Sequence, residues 1–238
     1  MVTKLAILLP PSEGKAEGGD GAPWSPDAGT FGPELASRRA AVAKALRRAK
    51  GGDQRLLGVK GVNLDRARQA NRSLIGAPTL PAWRRYTGVV WDHLGAADLT
   101  AAQRRSIIVV SGLHGLIRGD DPTPDYRLKL GSNLAPLGLL STWWRATLSA
   151  ALSGHVARRG AKRFVVDLLP IEHRAAWAPG DVDGVSVVLR ERSGRPGGHF
   201  AKAAKGELAR HLLTSPDPPL VALSTWDHPA YAIEIVPL

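Results

Sequence analysis

Ile107, Ile108, Val109 and Val110 form an apolar, β-branched run with no polar residue interleaved. A strand with one wet face alternates, so an unbroken run marks a strand covered on both faces, as in the sheet of an α/β protein. The run ends in Ser111-Gly112-x-x-Gly115, passes an acidic, Pro-containing turn, and leaves through Tyr126-Arg127-Leu128-x-x-Gly131. Residues 3–9 and 163–169 repeat the pattern, one stopped by Pro10-Pro11 and the other by Pro170. All three predicted strands end in polar residues: Ser12, Glu13 and Lys15 after the first, Ser111 and its glycines after the second, Glu172 and His173 after the third. If the strands are parallel neighbours, those ends converge on one pocket, because ligands of α/β sheets bind at the carboxyl ends of the strands.

Around these strands the spacing predicts helices over 33–50, closed by Gly51-Gly52, over 82–94, over 136–159 and over 199–213. A short helix capped by Asp98 or Thr100 runs to Arg105. Residues 16–32 read as a surface loop, 185–190 as a strand, 193–198 as a turn, and 220–224 with 230–236 as the two strands of a terminal hairpin. The stretch 56–70, with Leu57-Gly58-Val59-Lys60-Gly61-Val62, resembles the hairpin of a helix-hairpin-helix module, although its glycines are spaced Gly-x-x-Gly. The expected fold is one mixed-sheet α/β domain over residues 1–238, with the basic helices of 33–94 as a subdomain inside it.

Several chemistries are excluded outright. With no cysteine there is no thiolate nucleophile, disulfide or Cys-based metal site. Ser12-Glu13-Gly14-Lys15 is not a phosphate-binding P-loop, since Leu9 stands where its first glycine belongs and Ala16 where its Ser or Thr belongs. Ser111 lacks the Gly-x-Ser-x-Gly frame of a hydrolase nucleophile, so its expected role is hydrogen bonding. The seven histidines show no metal-ligand spacing, and Asp120, Asp121 and Asp125 cap a turn rather than bind calcium. No metal or cofactor is expected. No apolar run approaches the ~18 residues that span a bilayer, and the first fifteen residues lack the pattern of a secretory leader. The expectation is a cytoplasmic protein without membrane contact.

Charge points to polyanions. Thirty-two Lys and Arg stand against twenty-one Asp and Glu, a net charge of +11. Residues 38–72 hold eleven of the basic side chains against only Asp53 and Asp65. A solvated helical face in an Arg-rich chain gives the same count; the functional reading is a surface for the phosphates of duplex DNA, carried by Arg38, Arg39, Arg47, Arg48, Lys60, Arg66 and Arg68. The pocket reading uses other residues: Lys15, Arg127 and Lys202 to hold a phosphate or carboxylate, Ser111 beside them, and Glu172 as orienter or general base.

The opening strand with its Pro-Ser pair and Lys15, the Ser111-Gly112-Leu113-x-Gly115 segment, Tyr126-Arg127-Leu128-x-x-Gly131, Trp143, Asp167-Leu168 with Glu172, and Phe200-x-Lys202-x-x-Lys205-Gly206 with Arg210 together resemble the YaaA peroxide-stress family. The PPSEGK opening places the chain on a divergent branch of it, and His114 stands where an aromatic residue is common. The resemblance implies a single α/β domain with a helix-hairpin-helix-like element and a positively charged cleft. It also implies sequence-indifferent binding of duplex DNA and protection against hydrogen peroxide and iron-driven damage. The alternative left open by the residues is an enzyme acting on a nucleotide, nucleobase or other small anionic substrate in the strand-end pocket.

Overall fold

The computed structural model describes residues 4–158, 162–193 and 201–238. Its centre is a six-stranded sheet built from β1 (Lys4–Leu9), β2 (Ile107–Ser111), β3 (Gly115–Arg118), β4 (Arg163–Asp167), β5 (Gly184–Glu191) and β6 (Tyr231–Pro237), in the spatial order β6-β5-β4-β1-β2-β3. β5, β4, β1 and β2 run parallel, and β3 and β6 close the two edges antiparallel. The three apolar runs are therefore adjacent and co-directional. Ile7 sits between Val166 and Ile107, and Ala6 to Leu9 and Ile107 to Val110 are wholly buried.

Helices cover the sheet. α1 (Gly32–Arg48) buries Leu35, Val42 and Leu46; α2 (Gly61–Arg72) packs on it through Ala67 and Asn71. α3 is Val89–Leu94, and α4 (Leu140–Val156) buries Leu140, Trp144, Leu148, Leu152 and Val156, one residue per turn down one stripe. α5 (Ala201–Thr214) packs closely on α3, and α6 (Pro219–Thr225) follows it. Thr100 caps the helix Ala101–Arg105 with a reciprocal box through Gln103.

Three expectations are corrected. The helix foreseen over 82–94 is broken: Ala82–Arg85 makes one turn, Tyr86–Thr87 pairs antiparallel with Gly14–Lys15, and Gly88, at φ 143°, reopens the chain before α3. The helix foreseen from 136 begins at Leu140, because Asn133–Leu134 and Gly138–Leu139 form a small hairpin first. Residues 220–224 are helical, not a strand. Pro219 occupies the first turn, while Ala222 and Leu223 point inward and Leu220 and Val221 outward, and a five-residue apolar run does not itself distinguish strand from helix. β6 therefore pairs with β5, not with 220–224.

The 16–32 loop is anchored by buried Trp24 and Phe31, and by Asp121, whose Oδ1 accepts from the backbone N–H (3.0 Å) and hydroxyl (2.8 Å) of Thr30. Residues 56–70 comprise the end of a one-turn helix, Gln54–Leu57, a left-handed Gly58, and α2 from Gly61. Of the turn foreseen at 193–198, only Ser193 is among the described residues; His199 and Phe200 also lie outside them. No helix among the described residues is long and apolar enough to cross a membrane.

Candidate functional site

The parallel strands deliver their carboxyl ends to one side. After β1, Pro10-Pro11 turn the chain into Ser12–Lys15, which Tyr86–Thr87 then holds as a two-residue ribbon. After β4, Pro170 starts the helical turn Ile171–Arg174. After β2, Gly112 eases a crossing: a Cβ there would lie 3.1 Å from the carbonyl oxygens of Leu128 and Lys129, so any side chain at residue 112 would press on the 127–130 segment where it passes over the sheet end. α5 brings Lys202 and Lys205 to the same place. The resulting cleft, partly open to solvent, has a volume of about 560 Å³, within the roughly 300–1,000 Å³ range of small-molecule sites. Lys15, Arg127, Lys129, Lys202 and Lys205 line it against Glu13 and Glu172, with Val90, Trp91, Leu128 and Leu130 supplying apolar wall.

Lys15 is held from below. Its Nζ donates to the Ser12 carbonyl at 2.9 Å and lies 4.2 Å from the Tyr126 ring centroid and 5.5 Å from that of Tyr86. Burial pulls its pKa down to about 7; Asp125 and Glu13 oppose the shift, and Arg127 and Arg85 add to it. The two tyrosines are themselves fixed by a hydroxyl chain, Tyr86 to Tyr126 at 2.9 Å and Tyr126 to Ser111 at 2.7 Å. Burial pushes the Tyr126 phenol up to about 12, so the platform beneath the ammonium stays neutral.

Across from it, Glu13 bridges two cations: its carboxylate takes Arg127 Nη2 at 2.7 Å and Lys129 Nζ at 3.0 Å. Partial burial raises the Glu13 pKa, but the hydrogen bond from Lys129 and the charge of Arg127 outweigh it and the net shift is downward. Arg127 is oriented further by the carbonyls of Leu57 and Glu13, both at 3.2 Å. Its backbone is clamped by buried Asn71 of α2, whose Oδ1 accepts from Arg127 N (2.9 Å) and whose Nδ2 donates to Arg127 O (2.8 Å).

On the third side, buried His173 is kept neutral, its pKa drawn down to about 4 by burial and the charge of Lys205. Its Nδ1 has no hydrogen-bond partner among the described residues and stands 3.6 Å from Glu172 Oε1. Lys205 falls to about 8 through burial and the charge of Arg174, with Asp167 opposing. The carboxyl of Asp167, raised by burial, accepts from Leu169 N at 2.7 Å and pairs with Arg174 at 3.2 Å.

The family profile described as peroxide stress protein YaaA matches residues 5–234. A UPF0246 protein of Streptomyces coelicolor is 33% identical over 243 residues, covering 97% of this chain and 92% of that protein. UPF0246 proteins of Corynebacterium efficiens and Corynebacterium glutamicum are 36% and 33% identical, each over 89% of this chain and 86% of their own length. The chain belongs to the YaaA family.

Within this YaaA-family fold, Lys15, Arg127, Glu172 and Lys202 line one cavity. Ser111 does not. It is fully buried, with its hydroxyl on Tyr126 and the backbone N–H groups of Leu113 and His114, and so supports the Lys15 platform from behind. The basic set is scattered. Arg39 is wholly buried, bonded to the carbonyls of Pro26, Ala28, His114 and Leu116, and out of reach of any phosphate. Arg38 stacks on Trp143, Arg66 pairs with Glu17 and Asp125, and Arg68 bonds Gly52 O. Arg47, Arg48 and Lys60 are exposed on α1 and at the start of α2.

Sequence reasoning missed Lys205, Lys129, Tyr86 and Asn71 as parts of the site. Lys205 was visible, one helical turn after Lys202; Asn71 had no local signal, since its partner lies 56 residues away. Among the described residues no group of three or more His, Cys, Asp or Glu side chains is arranged to hold a metal ion.

Proposed function

We propose that this YaaA-family protein acts in the cytoplasm under peroxide stress as an enzyme on a small anionic substrate of the nucleotide class, bound in the strand-end cavity. The observation that carries the reading is the convergence of five cationic side chains and two carboxylates on one partly apolar cavity at the ends of three parallel strands. Arg127 and Lys129, already bridged by the Glu13 carboxylate, offer a seat for phosphate or carboxylate oxygens. The wall of Val90, Trp91, Leu128 and Leu130 suits a flat base or other apolar portion. Glu172 and neutral His173 are the groups that would move protons.

The test is calorimetric titration with nucleoside mono- and diphosphates and with inorganic phosphate. Binding that is lost in Arg127→Ala and Lys202→Ala and kept in Arg47→Ala supports the site; equal loss in all three, or no binding, rejects it.

A second reading rests on a different observation. Lys44, Arg47, Arg48, Lys60 and Arg72 are exposed, and none makes an ion pair among the described residues. Such a surface suits duplex DNA gripped through phosphates, with the turn around Gly58 as a further contact. Affinity would then fall steeply with salt, and would fall in Arg47→Ala but not in Lys202→Ala.

A further inference from the structure

We infer that Lys15 is a covalent nucleophile, and that the substrate class of the cavity is an anionic aldehyde or ketone that condenses with the Lys15 amine. This deepens the pocket reading and rests on it for the anionic part only.

The placement of Lys15 sets it apart from a lysine that binds charge. Lys15 lines the cavity, yet no carboxylate lies within ion-pair distance of its Nζ among the described residues. Its contacts are one carbonyl oxygen and the faces of two tyrosine rings. The nearby carboxylates are engaged elsewhere: Glu13 with Arg127 and Lys129, Asp125 with Arg66. Arg127 lines the same cavity, the charge of buried Arg85 acts on Lys15 from behind, and Tyr86 and Tyr126 below are held un-ionised by burial. An amine so placed is not locked in an ion pair, and burial favours its neutral form, which carries the free lone pair. The residues beneath it serve position, since Ser111 fixes Tyr126 and Tyr126 fixes Tyr86. That accounts for a buried serine at a strand end that makes no contact with the cavity.

The step balances without any redox partner. The Nζ lone pair attacks the carbonyl carbon, and the C=O π pair moves to oxygen, which takes a proton to give a carbinolamine. The hydroxyl then takes a second proton and leaves as water while the C=N bond forms. Both hydrogens of the neutral amine depart, in net terms, with the carbonyl oxygen. Arg127 and Lys202 hold the substrate's anionic group, and Glu172 stands on the cavity wall to relay the protons.

The experiment treats the intact protein at pH 7 with pyridoxal, and separately with pyridoxal 5′-phosphate, reduces each with cyanoborohydride, and maps the secondary amine by peptide mass spectrometry. The expected result is modification of Lys15 at least tenfold ahead of exposed Lys44, Lys50 and Lys60 with both aldehydes, and more with the phosphate. Lys15→Arg is expected to abolish it, and in the wild-type protein the labelling rate should rise through pH 7 instead of pH 10. The wild-type map alone decides the matter if the variant fails to fold. Labelling spread over surface lysines, with Lys15 not preferred, overturns the proposal. Strong Lys15 labelling by pyridoxal with no gain from the phosphate supports the nucleophile and rejects the anion seat. Tight phosphate-dependent binding by calorimetry with no Lys15 adduct rejects the nucleophile and supports the seat.

Discussion

Acidification should destabilise this fold through its buried histidines. His155 and His173 are almost wholly buried, and burial, helped by the charges of Arg163 and Lys205 respectively, draws both down to about 4. In the unfolded chain each titrates near ~6.5. Between those values the unfolded state binds a proton that the folded state refuses, so stability is fully present above about pH 6.5 and is lost as pH falls toward 4. The slope is about 1.36 kcal/mol per pH unit for each histidine. By pH 5 the loss is about 2 kcal/mol per ring, or about 4 kcal/mol for the pair. His114, also far below its usual range, adds to it. Lys15 takes up its proton near pH 7, before this window, and Asp167, raised by burial, softens only its acid end. Against a typical domain stability of roughly 5–15 kcal/mol, the protein should be close to unfolding at pH 5. Urea unfolding at pH 7.5, 6.5 and 5.0 measures it. His155→Gln and His173→Gln should each remove about half of the pair's pH-dependent part, whatever they do to stability at pH 7.5. The reasoning fails if the pH slope is flat, or survives unchanged in the double variant.

Other expectations follow from single contacts. Arg39→Ala strands the buried carbonyls of His114 and Leu116 and the part-buried ones of Pro26 and Ala28 and should cost about 3–5 kcal/mol in thermal unfolding, whereas exposed Arg47→Ala should change stability by less than about 0.5 kcal/mol. Glu13→Gln removes the internal carboxylate from Arg127 and Lys129; because Glu13 is well exposed the gain is small, about 1 kcal/mol or roughly fivefold tighter nucleotide binding by calorimetry. Gly206→Ala would set a Cβ 2.4 Å from Val90 O and push α3 away from α5. That overpacking, about 1–3 kcal/mol, should exceed the ~1 kcal/mol of helix propensity gained, lowering the unfolding temperature and, through Val90 and Trp91, weakening ligand binding.

The sheet was legible because its signal is local. Residues 5–9, 107–110 and 164–166 are continuous apolar runs followed closely by turn residues, and such runs become adjacent parallel strands whose ends meet. Lys15, Arg127 and Glu172 followed from position relative to those stops, and Lys202 from the basic residues of the 199–213 helix. What failed depends on distant partners. The 82–94 helix breaks because Tyr86–Thr87 finds Gly14–Lys15, some seventy residues away in sequence, and no helical periodicity records that pairing. Arg39 looked like its neighbours Arg38 and Arg47 because a helix face shows which residues are charged and not what the face packs against. The helix at 219–225 was hidden by its brevity, since seven residues make only about two turns.

The same long-range contacts bind the basic helices to the cavity. Asn71 projects from α2 into the backbone of Arg127 and also donates to Gly51 O at the end of α1's connection, so one buried side chain joins both basic helices to the residue that faces the ligand seat. Arg66 of α2 likewise reaches the Lys15 carbonyl (3.2 Å) and Asp125. Replacing Arg66 therefore disturbs the pocket as well as the surface, and a loss of nucleic-acid binding in that variant would not choose between the two readings. Arg47 and Lys202 do choose. One is exposed on α1 with no contact to the cavity, the other lines the cavity from α5, and no hydrogen bond among the described residues links them. Loss of nucleotide binding in Lys202→Ala together with unchanged DNA retention, and the reverse in Arg47→Ala, would assign two separate functions to one small domain. Loss of both in Lys202→Ala alone would mean that the cavity, and not the basic face, holds the phosphate.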